Sequence, residues 1–303
     1  MNVKIDNKNQ KKKKNIKDLI FYCSLMAWPT IFFVVFYVCV NVNSILLAFK
    51  DYDVLTNTVE FVGFDNIKRA LVNFVSNADI LYAIKNSLIK YAIDISIGLT
   101  LNLFFAYFIF KGIYFKNFFK VILFLPQIIS AMSLVVIFTY FIDKLVPTMF
   151  PALSGLISDP NKQFGTLVFF CLWSGFGSSM LIYLGAFNNI STEIIEAGKL
   201  DGVTPLREFW SICLPLIFPT LSTFLTVGVV SIFIDQMCMV EFFGGKADTR
   251  IQTLGYYLFS RTIDAKTADY PYLSALGLIM TAIAAPLTFF ARWLLTKLGP
   301  SVD

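Results

Sequence analysis

Six stretches of this chain are apolar over about 20 residues or more, the length a helix needs to cross roughly 30 Å of hydrocarbon. They run near 19–48, 87–110, 117–142, 164–187, 212–236 and 270–295. Lipid offers no partner to a bare peptide group, so a spanning segment must be a helix or belong to a closed barrel. The period-2 alternation of barrel strands is missing, so the sequence predicts an all-α polytopic membrane protein with six transmembrane helices. Composition agrees: 57% of the 303 residues are hydrophobic and 15% charged, against about 25% charged in a soluble domain. The first stretch is too long for the core of a signal peptide and lacks a clear small-residue cleavage site, so it is expected to remain as an anchor.

The scarce charge then orients the spans. Lys4, Lys8, Lys11, Lys12, Lys13, Lys14 and Lys17 precede the first span, and the tail over 1–18 belongs in the cytoplasm. Six spans place the loop with Lys111, Lys116 and Lys120, the 188–211 segment and the end with Arg292 and Lys297 on the same side. Those regions hold fourteen of the 25 basic residues but only seven of the 20 acidic ones. The expected domains are that tail and a permease body over 19–298, with both termini cytoplasmic. Three outer stretches, near 49–86, 143–163 and 237–269, are too short for a sizeable soluble domain. In the first, Phe61-Val62-Gly63-Phe64-Asp65-Asn66 reads as a turn into a short amphipathic helix from Ile67 to Phe74.

Catalytic chemistry has little to work with. Histidine is absent, which removes Ser-His and Cys-His catalysis and histidine metal ligation. The five cysteines stand singly, with no C-x-x-C pair, so no metal site is expected and they read as small hydrophobes. No G-x-x-x-x-G-K-[ST] occurs; Gly244-Gly245-Lys246-Ala247 lacks both the earlier glycine and the hydroxyl. The chain is therefore expected to be neither a hydrolytic enzyme nor an ATPase, and the position of its lysines argues against nucleic acid as a partner.

Between the fourth and fifth stretches the sequence turns polar. Ser191 or Thr192 suits a helix N-cap, and Glu193 places negative charge in the first turn, where the helix dipole favours it. Asp201-Gly202 suits the stop, because glycine adopts the left-handed conformation after a helix end. Thr204-Pro205 then suits the start of the next helix, in which Pro215 and Pro219 permit kinks. The product is a short helix lying across the cytoplasmic face within the 188–211 loop.

The run Glu196-Ala197-Gly198-Lys199-Leu200-Asp201-Gly202, followed by Phe209, Ile212, Leu214-Pro215 and Pro219, resembles the EAA loop of permease subunits in bacterial binding-protein-dependent ABC importers. Gly198 replaces the second alanine of that pattern and Val203 the alanine after the glycine. Other positions are similar to the carbohydrate permeases of the maltose-system type: the Phe61–Asn66 segment, Leu125-Pro126, Trp173, and Asp235-Gln236 followed by Gly244-Gly245. Lys246 departs from that pattern, standing where proline is usual.

The resemblance implies the type I importer permease fold in a bacterial plasma membrane. It implies a second homologous permease, two ATPase subunits that bind ATP and magnesium, and an extracytoplasmic binding protein that delivers a sugar or oligosaccharide. It assigns docking on the ATPase to Glu196, Ala197, Gly198, Asp201 and Gly202. The helices flanking the loop offer Trp173, Ser174, Ser178, Ser231 and Asp235 to the substrate pathway, and Asp94, Asn102 and Gln127 are further intramembrane polar groups. For any one of these, hydrogen bonding between helices is an equal reading. Glycerol phosphate or a polyol is the alternative cargo, and an ion-coupled secondary transporter the alternative mechanism.

Overall fold

The computed structural model describes residues 16–53, 58–112 and 114–300. The lysines from Lys4 to Lys14, and Asp303, lie outside them. Six helices are long and apolar enough to cross a membrane: Leu19–Leu47, Ala78–Phe110, Ala131–Met149, Pro160–Asn188, Pro205–Phe243 and Thr267–Leu298.

Outside the lipid, two short strands, β1 (Lys50–Asp53) and β2 (Thr58–Phe61), form an antiparallel hairpin with Lys50 opposite Phe61. Gly63 takes φ +62° in the turn that follows. Helix α1 then covers Asp65–Ser76, starting two residues earlier than expected. Asn66 Nδ2 donates to the Lys50 carbonyl at 2.7 Å, and Asn73 Nδ2 to the Tyr272 hydroxyl at 3.0 Å, which ties α1 to the hairpin and to the sixth span.

The third crossing differs from the single stretch 117–142. Helix α2 (Lys116–Ile128) carries Pro126 and stops, Ile129 is extended, and a new helix starts at Ala131. Pro126 withdraws one N–H from the ladder, and the Ser130 side chain caps the restart by accepting from Ser133 N. Half-helix α2 lies against the fourth span so closely that a Cβ on Gly177 would sit 2.3 Å from the Leu123 carbonyl oxygen.

The outer stretch 237–269 is woven into the core. Helix α4 (Leu254–Ile263) buries Leu254, Tyr256 and Tyr257, and a Cβ on Gly255 would meet the Ile234 carbonyl oxygen at 2.4 Å. Asn86 Nδ2 donates to the carbonyls of Arg250 and Gln252, and Leu254 N donates to Ser87 Oγ at 3.0 Å, binding the segment to the second span. Burial raises the Tyr256 phenol, so it keeps its proton and donates to the Gly244 carbonyl at 2.7 Å. Helix α3 (Thr192–Leu200), between α2 and α4, is the short helix described next.

Four of the crossings contain one π-wound turn each, at Val34–Cys39, Asp94–Leu99, Phe141–Leu145 and Phe209–Cys213. Such turns cluster at functional places in helices. Here the second lies at an intramembrane cavity and the fourth overlaps the end of the 188–211 segment.

Candidate functional site

Helix α3 spans Thr192–Leu200, as the signals at Ser191 and Asp201-Gly202 require. Gly202 takes φ +71°; its N–H donates to the Lys199 carbonyl, and Val203 N donates to the Gly198 carbonyl at 3.0 Å. These are the two bonds of a Schellman end, and they satisfy carbonyls that the helix leaves orphaned. Ile195 and Gly198 face inward, and a Cβ on Gly198 would meet Ile212 Cδ1 at 2.9 Å. Glu193, Ile194, Glu196, Ala197 and Lys199 are exposed, Asp201 and Gly202 are exposed beyond them, and Leu200 is 89% exposed. Of the five residues assigned to the docking loop, four are therefore open to a partner and Gly198 is turned toward its own fifth span.

The next helix starts at Pro205, runs through the π turn Phe209–Cys213, and continues over Leu214–Ile234. Pro215 has no N–H to give, and the turn just before it is the one wound as π. Glu208, 2% exposed, accepts from Lys111 Nζ at 2.8 and 2.9 Å, and its Oε1 lies 3.2 Å from the Tyr107 hydroxyl. The Phe110 end of the second span is thereby clamped to the segment that leaves α3. Sequence reading counted Glu208 and Lys111 only as charges; their separation of 97 residues hides the pair.

The other site is a cavity of about 290 Å³ between the second, fourth and fifth spans. Lys90, Asp94, Asn102, Ser179, Tyr183 and Ser231 are among its lining residues. Lys90 Nζ contacts Asp94 Oδ2 at 2.6 Å, one helical turn away, and also the Asp235 carboxylate from the end of the fifth span. Asp235 Oδ1 also accepts from Met237 N at 2.8 Å. The chain then passes through two left-handed non-glycine residues, Met237 and Cys238. An isolated charge at this depth is costly, and the two ion pairs place an opposite charge beside each of the three groups.

Of the five pathway residues named from sequence, Ser231 lines this cavity, and Asp235 reaches it through Lys90. Ser174 and Ser178 donate to the carbonyls of Cys171 and Gly175 in their own helix, while Gln127 Nε2 donates to the Ser174 carbonyl and so joins α2 to the fourth span. Trp173 points elsewhere, stacking on Phe138 beside an apolar surface formed with Ile137, Phe141 and Phe169. Asp94 and Asn102 both line the cavity. Lys90, Ser179 and Tyr183 went unnamed. The i, i+4 pair of Lys90 and Asp94 inside an apolar run was the available signal for the first. Among the described residues no cluster of His, Cys, Asp or Glu is arranged to hold a metal ion.

Residues 95–303 match the family model described as the binding-protein-dependent transport system inner membrane component. The multiple sugar-binding transport system permease protein MsmF of Streptococcus mutans is 25% identical over 265 residues, covering 84% of this chain and 88% of that one. The probable starch degradation products transport system permease protein AmyD of Thermoanaerobacterium thermosulfurigenes is 27% identical over 255 residues, covering 82% and 85%. The crystal structure of a bacterial ABC transporter involved in the import of the acidic polysaccharide alginate superposes with a TM-score of 0.75 at 19% identity, over 93% of this chain and 97% of that one.

Proposed function

Because the chain belongs to the family of binding-protein-dependent transport system inner membrane components, we propose that it carries sugars or oligosaccharides across the plasma membrane as a permease subunit of an ABC importer. It works with a second, homologous permease, and an extracytoplasmic binding protein delivers the substrate. Two ATPase subunits on the cytoplasmic face bind ATP and magnesium; the chain is a permease and not an enzyme. The relatives above bear sugar and starch-product names, so glycerol phosphate is not the favoured cargo.

The observation that carries this reading is the build of α3. It is a short helix packed on its own fifth span through Ile195 and Gly198, while its other face stays open. A partner that grips that face moves the helix as a rigid body, and Glu208 with Lys111 passes the motion to the second span. ATP-driven closure of the ATPases then becomes a change of access to the intramembrane cavity. Glu196 meets a basic group of the ATPase, and Ala197 leaves room for close approach.

The test is ATPase stimulation by the loaded binding protein in reconstituted transporter. Glu196→Lys is expected to abolish the stimulation and uptake while the subunit still inserts and assembles. Full uptake by that variant refutes the docking role.

A further inference from the structure

The cavity between the second, fourth and fifth spans is built for one kind of charge. Lys90 needs a single carboxylate for neutrality, yet it holds two, Asp94 and Asp235, so the three groups carry a formal charge of −1. Two of the three ammonium N–H groups are engaged, and the two carboxylates more than offset its charge. Asn102, 8% exposed, has a side-chain oxygen with no hydrogen-bond partner. The hydroxyl of Ser231 donates to the Gly228 carbonyl at 2.6 Å, so its oxygen faces the cavity as an acceptor. Ser179 and Tyr183 have hydroxyls without a partner among the described residues and serve either way. The cavity therefore combines a net negative charge with an orphaned acceptor on Asn102.

We propose that this cavity holds the sugar on its way through, and that it takes uncharged or amino sugars while rejecting uronates and phosphate esters; the inference rests on the sugar-importer reading above. A sugar hydroxyl donating to Asp94 or Asp235 makes a charge-assisted bond. The ammonium of an amino sugar completes the second ion pair. A carboxylate or phosphate instead adds to the net negative charge of the triad and is repelled by it. The volume, about 290 Å³, is at the low end of ligand pockets at roughly 300–1,000 Å³, so it grips a short piece of the substrate.

Cys171 lines the cavity and is a natural reporter. In the assembled transporter in nanodiscs, with the other cysteines replaced by alanine, its modification rates are measured with a cationic and an anionic methanethiosulfonate. Each rate is normalised to that of the same reagent with a free thiol. The cationic reagent is expected to react about tenfold faster or more, a ratio that Asp94→Asn narrows. Methyl glucoside and glucosamine are expected to slow the reaction, and glucuronate to leave it unchanged. Equal rates for the two reagents, no reaction with either, equal protection by glucuronate, or protection by no sugar each overturn the proposal. These arms use the unaltered charge triad, so they stand even if Asp94→Asn fails to fold. ATP-driven uptake of oligosaccharides by the same transporter in sealed proteoliposomes, with its binding protein added, reports separately on the importer reading: uptake without protection condemns the cavity alone, and no uptake condemns the importer reading.

Discussion

At the scale of single residues, cost follows from what is left behind after a change. Glu208 is 2% exposed at its side chain and Lys111 is 21% exposed. Lys111→Met therefore strands a buried carboxylate and is expected to cost about 3 kcal/mol or more, whereas Glu208→Gln leaves an ammonium that reaches water and costs about 1–3 kcal/mol. Thermal unfolding of the purified transporter checks the order, and the double variant is expected to be more stable than Lys111→Met alone. Two glycines give a second contrast. A methyl on Gly177 would meet backbone atoms of Leu123 and Phe124, which cannot move without shifting α2, so Gly177→Ala is expected to cost about 3 kcal/mol or more. A methyl on Gly198 meets only the tip of Ile212, and the helix gains about 1 kcal/mol of propensity, so Gly198→Ala is expected to be near neutral in the same measurement. Neither difference is visible in the sequence, where both are glycines in helices; what separates them is whether the neighbour is a carbonyl or the end of a flexible side chain.

Among the elements, those whose ends are written in local chemistry were legible. Asp201-Gly202 ends α3 and Thr204-Pro205 opens the next helix where the residues require it. Gly202 holds φ +71° there, so Gly202→Val is expected to cost about 1–2 kcal/mol locally. Since 1.4 kcal/mol is a factor of ten in a population, uptake is expected to fall roughly tenfold while the unfolding midpoint of the assembled transporter moves little. Unchanged uptake would show that the loop's exit turn plays no part in transport. Elements set by distant partners were not legible. The break between α2 and the third span sits inside a continuous apolar run, and only the contact of Gly177 with Leu123 and the bond from Gln127 to the fourth span show why α2 stands apart. Helix α4 has no long apolar run and reads as an outer loop. Its burial depends on Asn86 and Ser87, more than 160 positions earlier, which satisfy its backbone. The cavity was half legible for the same reason: Asp94, Asn102, Ser231 and Asp235 are polar residues in apolar surroundings, but the pairing of Asp235 with Lys90 crosses from one span to another.

For the whole molecule, the decisive quantity is how charge is divided between the two faces. The loops and ends assigned to the cytoplasm carry fourteen basic residues against seven acidic, and the rest of the chain eleven against thirteen. Retention of positive charge on the cytoplasmic side is therefore expected to set one orientation for all six spans together, because reversing any one reverses the next. That orientation would put α3 where the proposed ATPase reaches it and the hairpin, α1 and α4 on the side of the proposed binding protein, so transport direction and topology are one prediction. Two exposed lysines on opposite sides test it, Lys199 on α3 and Lys266 in the loop after α4. In a background without the natural cysteines, Lys266→Cys is expected to react with an impermeant maleimide added to intact cells, and Lys199→Cys only after the membrane is opened. The reverse pattern would place the docking helix outside the cell, away from ATP, and with it the energy source proposed for this permease would be lost.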